Sequence, residues 1–375
     1  VTHTKSVVID LFAGAGGLSL GAARAGFQVA GAVEIDKHAL ETHQRNFPET
    51  RHLTSDVSKL SGAELLTSCG LQAGELTGLI GGPPCQGFSS IGKGDPLDPR
   101  NELFGHFMRL VDETRPAFFV AENVPGILHQ KNDEARNAAL KLLPKGYVLL
   151  APFKAEAFKF GAPTIRTRLF FIGFDPQRVT GLDATALEGA HVPHRTNVKS
   201  ALSGLPSRIS PDWLEESDGW RAVKELNGDY FGKRAQGKIP PGIGNSESLR
   251  LFRQKKLVSG NLGTRHTQTV VERFEKLRHG QMDATSKCTR LDPQGYCPTL
   301  RAGTGSDKGS FQSVRPVHPS VSRVITPREA ARLQGFPDWF LLHPTKWHSF
   351  RQIGNSVSPL VAEAVLQKIK DHLIS

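Results

Sequence analysis

The chain carries 375 residues, 38% hydrophobic and 22% charged, and nowhere offers the roughly 18 to 20 successive apolar residues that cross a bilayer. So many residues rarely share one core, so two domains are expected. The net charge of +11 is localised: Arg221 to Arg323 holds 19 Lys and Arg against 8 Asp and Glu, while the rest carries 28 of each, the distribution of a polyanion-binding face.

Val1 to Ser6 runs directly into a strand-like segment, leaving no room for a secretory signal, and a cytoplasmic protein is expected. Val7 to Phe12 is short, apolar and β-branched, the pattern of a buried strand. It breaks into Ala13-Gly14-Ala15-Gly16-Gly17 and resumes as a small-residue helix to about Gly26, the opening of a Rossmann-like unit. The fingerprint Gly-x-Gly-x-x-Gly is incomplete, because Ser19 stands three places after Gly16. A loop without side chains still admits another ligand close to its backbone. A second strand, Gln28 to Val33, ends in Glu34-Ile35-Asp36, and Glu34 falls twenty residues after Gly14, where an acid can reach ribose hydroxyls. Asp56 follows the next short segment. Together these acids suggest a nucleoside pocket; singly, each reads as a helix cap or a surface charge.

Leu76 to Ile80 reads as the strand feeding Gly81-Gly82-Pro83-Pro84-Cys85-Gln86-Gly87-Phe88-Ser89. Two prolines forbid a continuing helix and stiffen the bend that presents Cys85. A glycine-containing segment to Gly94 follows, so Cys85 is either a nucleophile covered after substrate enters or a buried thiol in a tight turn. Ala117 to Ala121 is another strand, ending in Glu122-Asn123-Val124-Pro125. A carboxylate at the end of so apolar a run is partly desolvated and holds a proton near neutrality. Arg166 and Arg168, alternating at the start of the strand Leu169 to Gly173, share one side and call for an anion or a carbonyl oxygen.

From about Gly181 Pro, Gly, Ser and basic residues dominate, as in a loop-rich second domain. Within it Thr269 to His279 reads as a short helix, and Cys297 to Gly305 as a strand and a glycine loop. Thr326-Pro327-Arg328-Glu329 has the form of a capping box opening a helix to about Gln334. After Gly354-Asn355-Ser356-Val357, Ser358-Pro359 starts a last helix. Its stripe of Leu360, Val361, Ala364, Val365 and Ile369 needs the first domain to bury against. Cys69, Cys85, Cys288 and Cys297 form no Cys-x-x-Cys pair, so neither a disulfide framework nor a metal is expected.

With Phe12-Ala13-Gly14-Ala15-Gly16-Gly17, the Pro-Pro-Cys-Gln bend, Glu122-Asn123-Val124, Arg166-x-Arg168, Thr326-Pro327-Arg328-Glu329 and Gly354-Asn355-x-Val357 in this order, the chain resembles the bacterial DNA (cytosine-5)-methyltransferases that use S-adenosylmethionine. The motifs cover about residues 7 to 176 and 323 to 366. The resemblance implies an α/β fold: a Rossmann-like S-adenosylmethionine-dependent methyltransferase domain over 1–180, completed by a C-terminal helix within 346–375. A smaller loop-rich target-recognition domain would span 181–345. It implies that Cys85, Glu122, Arg166 and Arg168 are catalytic. Phe12, Gly14, Gly16, Glu34, Ile35, Asp56, Val57, Pro84, Leu103, Asn355 and Val357 would surround the cofactor, which leaves as S-adenosylhomocysteine. Ile35 replaces a frequent aromatic, and Thr164 stands where the motif Gln-x-Arg-x-Arg begins.

The implied partner is double-stranded DNA, met by a monomer in the bacterial cytoplasm at the nucleoid, with a cognate restriction endonuclease as functional partner. Ser89, Thr299, Leu300 and Arg301 are expected at the DNA. Carbon 5 of cytosine is a poor nucleophile until a thiolate adds at carbon 6, and the base must first leave the duplex. Three rivals stand beside this reading. A tRNA cytosine-5 methyltransferase is separated by comparing methyl incorporation into the two polymers, a nicotinamide enzyme by methyl-donor binding, and an inactive DNA-binding module by covalent trapping on 5-fluorocytosine DNA.

Overall fold

The computed structural model describes residues 6–84, 102–211, 219–224, 230–303 and 314–374; Cys85 and Ser89 lie outside them. The first half alternates strand and helix: β1 (Val7–Leu11), α1 (Gly17–Arg24), β2 (Gln28–Val33), α2 (Lys37–Asn46), β3 (Arg51–Leu53), α3 (Gly62–Ser68), β4 (Gly78–Gly81), α4 (Glu102–Thr114) and β5 (Phe118–Asn123). After α5 (Asp133–Leu140) come β6 (Val148–Leu149), β7 (Phe153–Glu156) and β8 (Thr167–Phe174). The sheet order is β3-β2-β1-β4-β5-β8-β6, with β7 also on β8. β3, β2, β1, β4 and β5 are parallel, and β8 runs antiparallel to β5. The order reverses between β1 and β4, which opens the crevice at their carboxyl ends where such sheets bind ligands.

Buried aliphatic and aromatic residues make these strands: the last four residues of β1 and all of β5 are covered on both faces. One core lies beneath α3 and α4, with Ile9, Leu65, Phe107 and Phe119. The larger core on the other face joins Val8, Phe118 and Phe170 to α13 (Pro359–Asp371). There Leu360, Val361, Val365 and Ile369 are buried as the stripe requires, and Ala364 is partly covered. α13 meets α1 backbone to backbone: a Cβ on Gly21 would lie 2.2 Å from the Ala362 Cβ.

The chain continues through α6 (Ala184–Glu188), α7 (Val198–Leu202), β9 (Arg221–Ala222), α8 (Tyr230–Gln236), α9 (Ser246–Lys255), β10 (Leu257–Val258) and α10 (Gln268–Glu275) to α11 (Pro327–Leu333) and α12 (Lys346–Asn355). The expected helix over 269–279 is thus α10, shorter and one residue earlier. The larger core does not stop at residue 180, since Leu187, Val198, Phe231, Leu291, Leu300 and Ile325 all belong to it. Phe274, Cys288, Val317 and Val324 form a separate small cluster. The expected strand from Cys297 is not formed among the described residues. Cys297 makes a single parallel bridge with Thr164 through Cys297 N–H to Pro163 O (2.8 Å) and Ile165 N–H to Cys297 O (3.0 Å). Pro298 then has no N–H to extend the ladder.

The capping box is present at α11, where the Thr326 side chain and Glu329 bond each other's backbone N–H groups. Its helix is buried throughout and carries an arginine knot. Arg328 donates to the carbonyls of Ser259 (2.8 Å), Pro337 (3.0 Å) and Phe340 (2.7 Å). Arg332 holds both Asp338 oxygens at 2.7 Å and reaches the carbonyls of Ala201 and Ser203. Arg323 grips Glu329 at 2.9 and 2.7 Å and bonds the Ser207 carbonyl. Replacing Arg332 by Met strands the Asp338 carboxylate, which is 2% exposed, and should cost about 3–5 kcal/mol in urea unfolding. Adding Asp338→Leu should restore a large part of that loss.

Candidate active site at the carboxyl edge of the sheet

The loop after β1 takes backbone angles that few side chains tolerate. Gly14 and Gly16 have φ of 56° and 97°, and Phe12, at 58°, adopts the same left-handed region without being glycine. A Cβ on Gly16 would lie 2.4 Å from the Phe47 ring, and one on Gly17 would lie 2.3 Å from the Val357 carbonyl oxygen. A Cβ on Gly14, by contrast, meets nothing within 4 Å. The Gly354–Val357 motif therefore lies against the glycine loop, with Val357 buried and Asn355 exposed. Gln334 holds this arrangement through the Ser356 carbonyl at 2.9 Å.

Glu34 follows β2 and accepts from the backbone N–H groups of Gly14 and Asp36, both at 2.8 Å. Burial raises its pKa against these bonds. Beside it Ile35 is an apolar side chain left 64% exposed. Asp56 caps the turn Val57–Lys59 by accepting from Ser58 N–H (3.0 Å) and Ser58 Oγ (2.8 Å), which lowers its pKa. Val57 points its side chain into the core. Pro84 and Leu103 are half-buried, on either side of the undescribed 85–101.

The second half of the site forms where β5 and β8 meet. Register places Gly81 opposite Ala121 and Glu122 opposite Phe170, so Gly82 lies beside Glu122. A Cβ at Gly82 would come within 3.3 Å of Glu122 Oε2. Because β8 is antiparallel, it begins at the edge where β4 and β5 end, and its first residues face Glu122. Arg168 Nε lies 2.7 Å from Glu122 Oε1, as a charge contact without hydrogen-bond alignment. Burial raises the Glu122 pKa, with Arg168 and then Arg166 acting against it. Arg166, 2% exposed, donates to the Leu300 carbonyl at 3.1 Å. Asn123 Nδ2 donates to the Pro83 carbonyl at 3.3 Å and so fixes the mount that leads to Cys85. A cleft here is lined by Ala155, Arg166, Arg168, Phe170, Val357 and Ser358.

The structure thus brings Glu122, Arg166 and Arg168 together at one edge, next to the chain leading into Cys85, and groups Gly14, Glu34 and Ile35 nearer β1 and β2. Of the residues expected at DNA, Arg301 is exposed and Thr299 half-buried. Leu300 is a correction: its side chain is 6% exposed in the main core, because the bridge at Cys297 and the Arg166 bond draw this segment inward. Sequence reasoning missed Gly82, Asn123 and a buried chain of polar groups. Ser19, which interrupts the glycine fingerprint, donates to Asp10 Oδ2 at 2.6 Å. His43 Nε2 lies 3.0 Å from Ser19 Oγ, and His43 Nδ1 lies 2.8 Å from His52 Nε2. An acid inside the apolar run of β1 was the available signal.

A family model described as C-5 cytosine-specific DNA methylase matches residues 7–371. The chain is 39% identical to the type II methyltransferase M.XorII of Xanthomonas oryzae pv. oryzae, over 96% of this chain and 84% of that protein. It is 32% identical to M.DdeI of Desulfomicrobium norvegicum, over 96% and 88%. The crystal structure of a putative DNA modification methyltransferase encoded within an E. coli prophage superposes with a TM-score of 0.86 at 46% identity, over 98% of this chain and 99% of that one. The S. pombe Dnmt2 methyltransferase, 15% identical with a TM-score of 0.61 over 98% and 99%, shares the fold.

Burial pushes the Asp10 carboxyl up to about 7, opposed by the Ser19 bond and reinforced by Glu34. The folded protein therefore keeps a proton that the unfolded chain, titrating near 3.8, has already lost. Between those values this group should erode stability as pH rises, by up to ~1.4 kcal/mol per pH unit, and level off above the higher one. Asp10→Asn should flatten that part of the slope when urea unfolding of both proteins is compared at about pH 5 and about pH 7.

Proposed function

The chain belongs to the C-5 cytosine-specific DNA methylase family, and from that premise we propose how its residues divide the work. It is a DNA (cytosine-5)-methyltransferase. The observation that carries the assignment of roles is the buried Glu122 carboxylate with Arg168 Nε at 2.7 Å, beside the Gly82-Pro83-Pro84 mount of Cys85.

S-adenosylmethionine fits the glycine-loop end of the site. The space above Gly14 is open, and Ile35 offers an uncovered apolar face next to the Glu34 carboxylate. Phe12, Gly14 and Gly16 would cradle it, Glu34 would take the ribose hydroxyls, and Ile35, Asp56, Val57, Pro84 and Leu103 would bound the adenine, with Asn355 and Val357 closing the far side. When bound, the cofactor supplies an electrophilic methyl group.

The remaining demands fall on the chain. Cys85, as thiolate, adds to carbon 6 of an extruded cytosine and makes carbon 5 nucleophilic; a free thiol near pKa 8.5 is already partly ionised at neutrality. Glu122 meets the N3 and N4 edge. Its raised pKa lets it hold a proton where charge builds on N3. Arg168 steadies Glu122, and Arg166 ties the site to residue 300. Loss of the carbon-5 proton then lets the Cys85–carbon 6 bond break and frees the thiol.

Residues 181–345 supply target recognition. The exposed cations Lys276, Arg278, Lys287 and Arg301 suit phosphate contact, while Arg290 and Arg323 are turned inward to carbonyls. Among the described residues no helix is long and apolar enough to cross a membrane. We place the protein in the bacterial cytoplasm, acting as a monomer on duplex DNA that it protects from a cognate endonuclease.

Cys85→Ser should abolish both methyl incorporation and covalent trapping on 5-fluorocytosine duplex while leaving DNA binding intact. Normal turnover in that variant would sink the assignment. Glu122→Gln should slow methylation by roughly 10²–10⁴-fold. Incorporation into duplex DNA should exceed incorporation into tRNA. Arg301→Ala should weaken DNA binding in a gel-shift assay; unchanged affinity and sequence preference would remove Arg301 from the interface.

A further inference from the structure

Away from the reaction edge, three histidines converge where α2 faces the start of α12. His38 lies in the first turn of α2, His343 just before α12, and His348 in its first turn. Their ligand nitrogens all lie within 4.8 Å of one another. The ring centroids are 3.8 Å apart for His38 and His348, 4.5 Å for His343 and His348, and 5.2 Å for His38 and His343. We propose that these three imidazoles form a binding site for a divalent transition-metal ion of the zinc class, which clamps α2 to α12.

Several features favour coordination over mere ring packing. Bonds that do not involve the imidazoles already fix the backbone around them. Gln352 Nε2 donates to the His38 carbonyl at 2.9 Å, Arg351 pairs with Asp36 at 3.1 Å, and Asn46 bonds both the N–H and the carbonyl of Leu341 at 2.8 Å. The rings therefore need only small side-chain rotations to reach the ~2.0–2.1 Å of zinc–nitrogen bonds. His38 is exposed, so an ion has an entry route and a water can complete a tetrahedral set.

Thr345 donates its N–H to His343 Nδ1 at 3.0 Å, and its hydroxyl lies 3.1 Å from the same nitrogen. These contacts set the orientation of the His343 ring. Three nitrogens without a thiolate select zinc, copper, nickel or cobalt over magnesium or calcium. The charges around the cluster, Asp36 and Glu41 against Arg45 and Arg351, come from α2 and α12 and offset one another, so binding rests on coordination.

Cobalt(II) titrated into the metal-stripped full chain reports the site directly. One equivalent should bind with the visible bands of tetrahedral nitrogen and oxygen coordination, without a thiolate charge-transfer band, and zinc should displace it and raise the Tm. In His38→Ala and in His348→Ala, affinity should fall more than about tenfold, since loss of an outer-shell partner alone costs that much. Because His38 is exposed, its variant keeps the fold even if the His348 variant does not. Equal cobalt affinity in His38→Ala, or a thiolate band in the parent, would overturn the proposal.

Discussion

One strand running against its neighbours governs this molecule. Five parallel strands deliver their carboxyl ends to a common edge, and with them Gly14, Glu34, Pro84 and Glu122. Only an antiparallel strand can bring its own beginning to that edge, and β8 does so, placing Arg166 and Arg168 against Glu122. A carboxyl group as covered as Glu122 is tolerable beside guanidinium groups and costly without them. The bent connection through Pro83 and Pro84 inherits its position from the same strands, because Asn123 at the end of β5 holds its carbonyl.

Much of this was legible because the strands are short apolar runs that stop at residues with distinct backbone demands. β2 occupies its expected span, and the capping box at Thr326 formed with both of its bonds. The pairing of Glu122 with Arg168 could be suspected from chemistry alone, since buried acids and alternating arginines each need a partner. What escaped were contacts between residues of ordinary appearance. Ser19 looked like a flaw in a glycine fingerprint, yet it donates to a buried acid that the turn from β1 into α1 brings within reach. The strand expected from Cys297 ignored the missing donor of Pro298, a local rule that wins once the bridge to Thr164 has formed.

Charge counting was informative and incomplete. The basic excess between residues 221 and 323 does leave Lys276, Arg278, Lys287 and Arg301 exposed. Composition cannot distinguish these from Arg290 and Arg323, whose guanidinium groups serve backbone carbonyls inside the protein. Nor can it foresee that His38 meets His343 and His348, about three hundred positions away along the chain. Long-range meetings of this kind belong to topology.

The arginines of α11 bear on which stretches of the chain can vary. Arg328 and Arg332 reach main-chain oxygens of Ala201, Ser203 and Ser259, and Arg323 does the same at Ser207. Carbonyls are supplied by any amino acid, so the stretches they anchor can drift in sequence as long as their path is kept. Segments between these moorings can then be exchanged with little disturbance beneath, and the seams of such an exchange lie near residues 207, 259 and 323.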